Sequence, residues 1–531
     1  MNIKRLDKDN FLDQIVRYGF FAEQFPSCFS SDAFADNLEH ISESVLASKS
    51  QAKYGNKNST APSTLSIYKN DVSRRTLSLP NPEAFLRLCK YMQAHWDEIV
   101  VFAESKQSLS PIIFLKNYGG GGVEECINSE SLRERMRVKS DFIEGIKRCI
   151  RLSLGYKYRM KVDITNCYNS IYTHSITWAA CDKPIAKKYF LTKTPDSIKE
   201  TYDVADCIDC FTRFMRNNET NGIIVGPYVS RIVSEIVLAR IDKLLAQRGF
   251  VFKRFVDDYK FYFRTEYQAQ ESLPVIGKIL NEYNLTLNAS KTIIEKYPYE
   301  IVSQVQQTYE QALEKEGVFG VLNAAAQLHL AGEKGAYKYA LKFIRNREIP
   351  TTDWVIIPSL INIMLIDPKY GKYVTEYLIR NIHSINIETL TRVLNNELES
   401  CLNNELQQET LLFIQLIRDL NLKVKSKNIE AILRSDNDFA IIIALDIWKN
   451  RKDSVIRTKH EARNINAAIR DLLHGLQGEV ISGARWLLIY EAHIHRLIPN
   501  YSIDETTLSD FFKRLIENKV SFYKSIKENN I

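Results

Sequence analysis

Residues 255–263 read FVDDYKFYF. Two adjacent carboxylates, Asp257 and Asp258, interrupt a segment built from aromatic and β-branched residues. The halves on either side, FVFKRFV and YKFYF, both have strand character, which predicts a β-hairpin with the aspartates at its tip. Two like charges held side by side at a tip repel one another. A divalent cation offsets that repulsion. An oxygen-only, incompletely filled ligand set suits Mg²⁺, which keeps waters and substrate phosphates in its shell. The competing reading is a solvated turn, since Asp is a common turn residue. Taken alone, the pair fits either.

Other stretches shift the balance. Upstream, YKYRMKVDI predicts a strand ending at Asp163. Between the two lies ETNGIIVGPYVSRIVSEI, where Gly222 and Gly226 permit close backbone approach and Pro227 suits the start of a helix. Helical spacing of Val229, Ile232, Val233, Ile236, Val237 and Ile241 predicts an amphipathic helix, with Gly249 as its terminator. After the hairpin, YNLTLNASKTIIEK supplies Lys291, a candidate partner for a leaving pyrophosphate or an ordinary solvated lysine. A strand-terminal Asp beside a hairpin-borne Asp pair is the arrangement with which a polymerase palm gathers two metal ions.

The ordered set (Asp, glycine-rich helix start, aromatic-x-Asp-Asp, Leu-Asn-x-x-Lys-Thr) resembles the reverse transcriptase palm. The resemblance implies an α+β fold, with reverse transcriptase-like fingers and palm over residues 1–300. It makes Asp163, Asp257 and Asp258 the catalytic metal ligands for two Mg²⁺, with Mn²⁺ as the alternative ion. Tyr168 becomes the ring that blocks a 2′-OH and selects dNTPs, Gly226 a nucleotide contact, and Lys291 a triphosphate contact. YGFFAEQFPSCFSSDAFA (18–35), SRRTLSLPNPEAF (73–85), YNSIYTHSI (168–176) and SRIVSEI resemble bacterial abortive-infection polymerases of the AbiK type. SRRTLSLPNPEAF brings Arg74 and Arg75 as candidate triphosphate ligands. That family implies a HEAT-like helical domain over 301–531 and a cytoplasmic, bacterial, homo-oligomeric antiphage enzyme. It implies template-free synthesis of single-stranded DNA, primed by and covalently attached to the protein. The priming hydroxyl is not legible; Tyr54 is one candidate among many tyrosines. Val225 stands where templated enzymes usually carry Gln, a change that removes side-chain hydrogen bonds. Phe255 replaces the commoner Tyr. The alternative is a defence or retron-type reverse transcriptase that copies a bound noncoding RNA.

Composition agrees with a multidomain globular chain. The chain has 531 residues, 25% charged, with net charge +7, a mild basic excess compatible with a nucleic-acid partner. No apolar run approaches a membrane span of about 20 residues. The N-terminal stretch is charged throughout and does not read as a secretory signal. Nine scattered cysteines read as reduced thiols. Cys207 and Cys210 form an isolated CxxC inside a helical pattern, without the second pair that a zinc site needs. YGGGG (118–122) lacks the GK[ST] of a phosphate loop and predicts a fingers loop. His174 is expected to bridge palm and helical domain, and His493 and His495 to lie at a surface or interface. Beyond residue 300, apolar positions recur at helical spacing without a strand pattern, which predicts an all-α array.

Overall fold

The computed structural model describes residues 6–53, 59–70, 72–110, 112, 146–299, 305–333, 335–349 and 355–526. Tyr54 and the YGGGG stretch lie outside the described residues.

FVDDYKFYF is a hairpin. Strands β4 (Phe252–Phe255) and β5 (Asp258–Phe263) pair antiparallel, with Phe255 opposite Asp258. They belong to a four-stranded sheet of order β4-β5-β3-β6, where β3 is Tyr158–Val162 and β6 is Ile293–Lys296. Every ladder in it is antiparallel. Alternation along β5 sends Tyr259, Phe261 and Phe263 to one face, where the Tyr259 and Phe261 rings stack with centroids 5.6 Å apart. The helix Glu266–Asn281 packs on β3 and β5. The helix Tyr228–Gln247 lies behind it. All six of its predicted apolar positions are buried, but so are Glu235 and Asp242. The expected polar face is therefore interior, and the charge that accounts for this comes from the hairpin, as described below.

A second hairpin pairs β1 (Ser63–Asn70) with β2 (Ser73–Leu79), in the stretch where the sequence resemblance expects the fingers. Its parity is simple. Ser63, Leu65 and Ile67 are buried and pair with Leu79, Leu77 and Arg75; Ser66 and Tyr68 pair with Thr76 and Arg74 on the other face.

From Val305 onward the described chain is helical apart from two two-residue strands, Val424–Lys425 and Val455–Ile456. The stretch Val305–Leu330 is two helices meeting at Glu316–Gly317, where Gly317 has φ +62°. The region is not independent of the N-terminal residues. Phe25 meets Phe439 at 4.9 Å, Phe29 meets Tyr523 at 5.3 Å and Phe34 meets Phe511 at 6.0 Å between ring centroids. A bridge between Phe29 and Tyr523 is flanked by Ser30 N–H to Phe522 O (3.0 Å) and Lys524 N–H to Cys28 O (2.8 Å). Each buried aromatic side chain is worth about 1.5–3 kcal/mol, so residues 20–34 and the C-terminal helices share one substantial core. His495 is part of this seam: its Nε2 lies 2.9 Å from Ser521 Oγ and 3.1 Å from Tyr523 O, and the side chain is half-buried at an interface within the chain. Among the described residues no helix is long and apolar enough to cross a membrane.

Candidate active site

The β4–β5 connection has only Val256 and Asp257 as central residues. Val256 adopts φ +59°. A β-branched residue is strained there, although a positive φ at the first central position matches the twist of a two-residue hairpin. Neighbours hold the turn in place. The Val256 N–H donates to Ser110 Oγ (3.1 Å), and its carbonyl accepts from Arg254 Nη1 (2.7 Å). The backbone of residues 107–109 adds to the outer edge of β4, through Arg254 N–H to Gln107 O (2.9 Å) and Leu109 N–H to Arg254 O (2.7 Å).

Arg254 is fully buried. Its guanidinium also donates to Glu235 Oε1 (2.8 Å) and Oε2 (3.1 Å), and to Asp242 Oδ2 (2.7 Å from Nη2), both from the helix Tyr228–Gln247. Glu235 and Asp242 stand seven residues apart, two turns along one helix face. Burial alone would lower the Arg254 pKa, but the two carboxylates hold it well above its ordinary value. The aspartate turn thus stands on a buried, hydrogen-bonded ion cluster.

Asp163 and Asp257 are near enough for the charge of one to act on the other. Val162 at the end of β3 pairs with Tyr259, so one further step places Asp163 beside Asp258 across the ladder. Asp257 is half-buried, and burial pushes its carboxyl above the usual range. Its own backbone N–H pulls it back, the Asp163 charge raises it, and Arg75 and Lys291 lower it. These groups therefore share one electrostatic neighbourhood. Asp163 Oδ2 accepts from Asn288 Nδ2 and from Lys291 Nζ, both at 3.0 Å, and the Asn288 N–H donates to the Asp163 carbonyl at 2.8 Å. The Leu-Asn-x-x-Lys stretch thus clamps the first aspartate. Among the described residues no three His, Cys, Asp or Glu side chains form a ready metal cluster.

Tyr168 sits on a short helical turn, Cys167–Ser170, and its carbonyl accepts the Ile223 N–H at 2.8 Å. Burial pushes its phenol up; Arg231 and Ser234 pull it back, and Asp257 acts on it from the carboxylate side. The glycine loop packs against both neighbours. Gly222 has φ +83°, and a Cβ there would fall 2.7 Å from Asn169 O. Gly226 has φ +145°, and a Cβ would fall 2.6 Å from Ser78 O, while the Val225 carbonyl accepts the Ser78 N–H at 2.7 Å. Gly226 therefore lets the start of the helix Tyr228–Gln247 dock on the β1–β2 hairpin.

The two arginines expected at the triphosphate part company. Arg75 is exposed on the inner face and its charge reaches Asp257. Arg74 turns outward: Nη1 and Nη2 meet Glu409 Oε1 and Oε2 at 3.0 and 2.7 Å, and Nε meets Ser66 Oγ at 2.9 Å. His174 pairs with buried Asp209 of the helix Lys199–Phe214 at 2.5 Å, inside the palm region, and does not bridge to the helical one. Cys207 is buried and Cys210 accepts from Arg213 at 3.1 Å, so the CxxC is part of that helix's packing.

Residues 125–308 match the family model for reverse transcriptase (RNA-dependent DNA polymerase). The chain carries a reverse transcriptase-like domain. It is followed by a largely α-helical C-terminal region. Solved structures that resemble the chain include apo telomerase from Candida tropicalis, at 13% identity and TM-score 0.28, covering 74% of this chain and 68% of that one. Telomerase from Candida albicans, in complex with a fragment of telomeric RNA, matches at 13% identity and TM-score 0.25 over 69% and 63% of the two chains. No curated protein matches the chain.

Proposed function

We propose that the protein is a DNA-synthesising nucleotidyltransferase of the reverse transcriptase type, which extends a hydroxyl with dNTPs on an RNA template. The observation that carries this reading is the meeting of Asp163 and the Asp257–Asp258 turn on one sheet end, with Arg75 and Lys291 acting on the same carboxylates. Asp163, Asp257 and Asp258 would hold Mg²⁺: they are oxygen donors, and the mutual repulsion felt at Asp257 is the deficit that a divalent cation neutralises. When bound, such ions supply charge stabilisation for phosphoryl transfer at both the attacking and the leaving oxygen.

The chain's own groups do the rest. Arg75 meets the triphosphate from the fingers side. Lys291 and Asn288 keep Asp163 oriented, and Lys291 adds positive charge where pyrophosphate departs. The Tyr168 ring fills the space of a ribose 2′-OH and selects deoxynucleotides. In each cycle the hydroxyl oxygen bonds to the α-phosphorus, the bond to the β-phosphate bridge breaks, and the hydroxyl proton leaves to solvent.

One observation favours a second reading, template-free and self-primed synthesis by an antiphage enzyme of the AbiK type. Val225 presents an apolar side chain at the position of the usual Gln, and its carbonyl is already committed to Ser78. One experiment separates the two. Nuclease-treated protein is incubated with Mg²⁺ and labelled dNTPs, with and without added RNA, and run on denaturing gels with and without proteinase. Label that depends on RNA supports templated copying. Label that needs no RNA and runs with the protein until proteolysis supports the self-primed reading. No label in either arm rejects both.

A further inference from the structure

The fingers hairpin is held from outside by the helical region. At the start of the helix Gln407–Asp419, three consecutive side chains reach β1 and β2. Gln407 Oε1 accepts the Ser66 N–H at 2.7 Å, and Gln408 Oε1 accepts the Tyr68 N–H at 2.8 Å. Glu409 takes the Arg74 fork through both its oxygens. These residues are themselves fixed. Gln408 and Glu409 are buried, and Gln407 is tied by its Nε2 to Asp436 at 2.9 Å and by its carbonyl to Asn437 at 2.9 Å.

The contacts answer the two needs of an edge strand. The free N–H groups of β1 would otherwise face water or another chain, and the glutamine carbonyls satisfy them. The charge-assisted fork at Arg74 then fixes the register of the outer face. The same strand pair carries Arg75 on its inner face, in phase with Leu77 and Leu79. The tip is held as well: Lys69 Nζ meets Asn166 Oδ1 of the palm at 3.1 Å, and Lys369 Nζ lies 5.2 Å from the Tyr68 ring centre.

We infer that Gln407, Gln408 and Glu409 are positioning residues, which hold the fingers hairpin over the carboxylates so that Arg75 meets the triphosphate in a site already closed. The inference rests on the polymerase reading above. None of the three touches the nucleotide; they act through the hairpin. A preorganised site lowers the cost of binding, so loosening the clasp weakens nucleotide affinity more than the chemical step.

The test uses the whole 531-residue chain. Initial rates of dNTP incorporation are measured against dNTP concentration for wild type, Glu409→Gln, the pair Gln407→Leu/Gln408→Leu, and the exchange Arg74→Glu/Glu409→Arg. Hydrogen exchange at the Ser66 and Tyr68 amides follows the clasp directly. Expected are faster exchange at these amides in the glutamine pair, and a KM raised roughly tenfold with kcat within about twofold in Glu409→Gln. The charge exchange is expected to recover most of that KM. Wild-type incorporation with a KM that Glu409→Gln and the glutamine pair leave unmoved overturns the inference alone. A fall only in kcat, tracking loss of folded protein by circular dichroism, marks a purely structural contact and also overturns it. Wild-type protein that incorporates nothing removes the polymerase reading, and the inference with it.

Discussion

Replacing Arg254 with methionine tests whether the hairpin stands on its buried ion cluster. The substitution keeps a long apolar stem and removes every donor of the guanidinium, leaving Glu235 and Asp242 charged and almost fully buried. Breaking a buried ion pair by deleting one partner costs about 3–5 kcal/mol. With an unfolding entropy of about 2.1 cal/mol/K per residue, the 531-residue chain loses roughly 3–4 °C in melting temperature if it unfolds as one unit. A second variant separates stability from function. Arg254→Met/Glu235→Met/Asp242→Leu replaces the cluster with apolar groups, an exchange that is often neutral or stabilising. It is expected to recover most of the lost melting temperature. It does not restore the donor to the Val256 carbonyl, so the turn carrying Asp257 loses its brace and incorporation stays low. Differential scanning calorimetry and the dNTP incorporation assay measure the two effects. A single variant that melts with wild type refutes the claim of a supporting cluster. A triple variant with wild-type incorporation refutes the link between Arg254 and the turn.

Other outcomes follow from the same geometry. Asp257→Ala is expected to abolish incorporation while the fold, checked by circular dichroism, persists; full activity in that variant sinks the catalytic assignment. Gly226→Ala puts a methyl 2.6 Å from Ser78 O at a φ of +145°, and should cost more than about 1 kcal/mol in a denaturant titration, while a neutral result would mean the fingers contact is loose. His174 has its pKa raised chiefly by the hydrogen bond to Asp209. A raised histidine contributes stability that is complete below its unfolded value of about 6.5 and is lost as pH rises through the folded value. The melting temperature of wild type should therefore fall relative to that of His174→Gln as pH rises from about 6.5 through the folded value, and parallel curves would remove the ion pair from the account.

Local chemistry made much of the site legible. Paired aspartates between aromatic halves gave the hairpin, a carboxylate after an alternating strand gave Asp163, and glycines ahead of an apolar helix gave the close approaches. The divergence of Arg74 and Arg75 was also present in the letters, because only Arg75 is in phase with Leu77 and Leu79. What strand parity does not disclose is the partner on each face, and Glu409 lies more than three hundred positions away. Arg254 was hidden for a similar reason. A guanidinium beside Lys253 in a Phe-Lys-Arg-Phe strand looks solvated until its acids are found, and these sit on a helix whose charged positions resemble an ordinary wet face. The packing of residues 20–34 on the C-terminal helices left no local trace, since an aromatic-rich segment does not name what will cover it.

The seam between Cys28–Ser30 and Phe522–Lys524 has a consequence for biosynthesis. A ribosome adds about 5–20 residues per second, so Phe29 waits roughly 25–100 s for Tyr523 to be made. Throughout that interval the phenylalanines of the N-terminal segment lack their final cover, and a nascent chain in this state is a natural client for a holding chaperone. An interrupted translation product would retain the aspartate hairpin and yet be unable to close its own core. A segment made late in synthesis thus acts as a completion check on one made early.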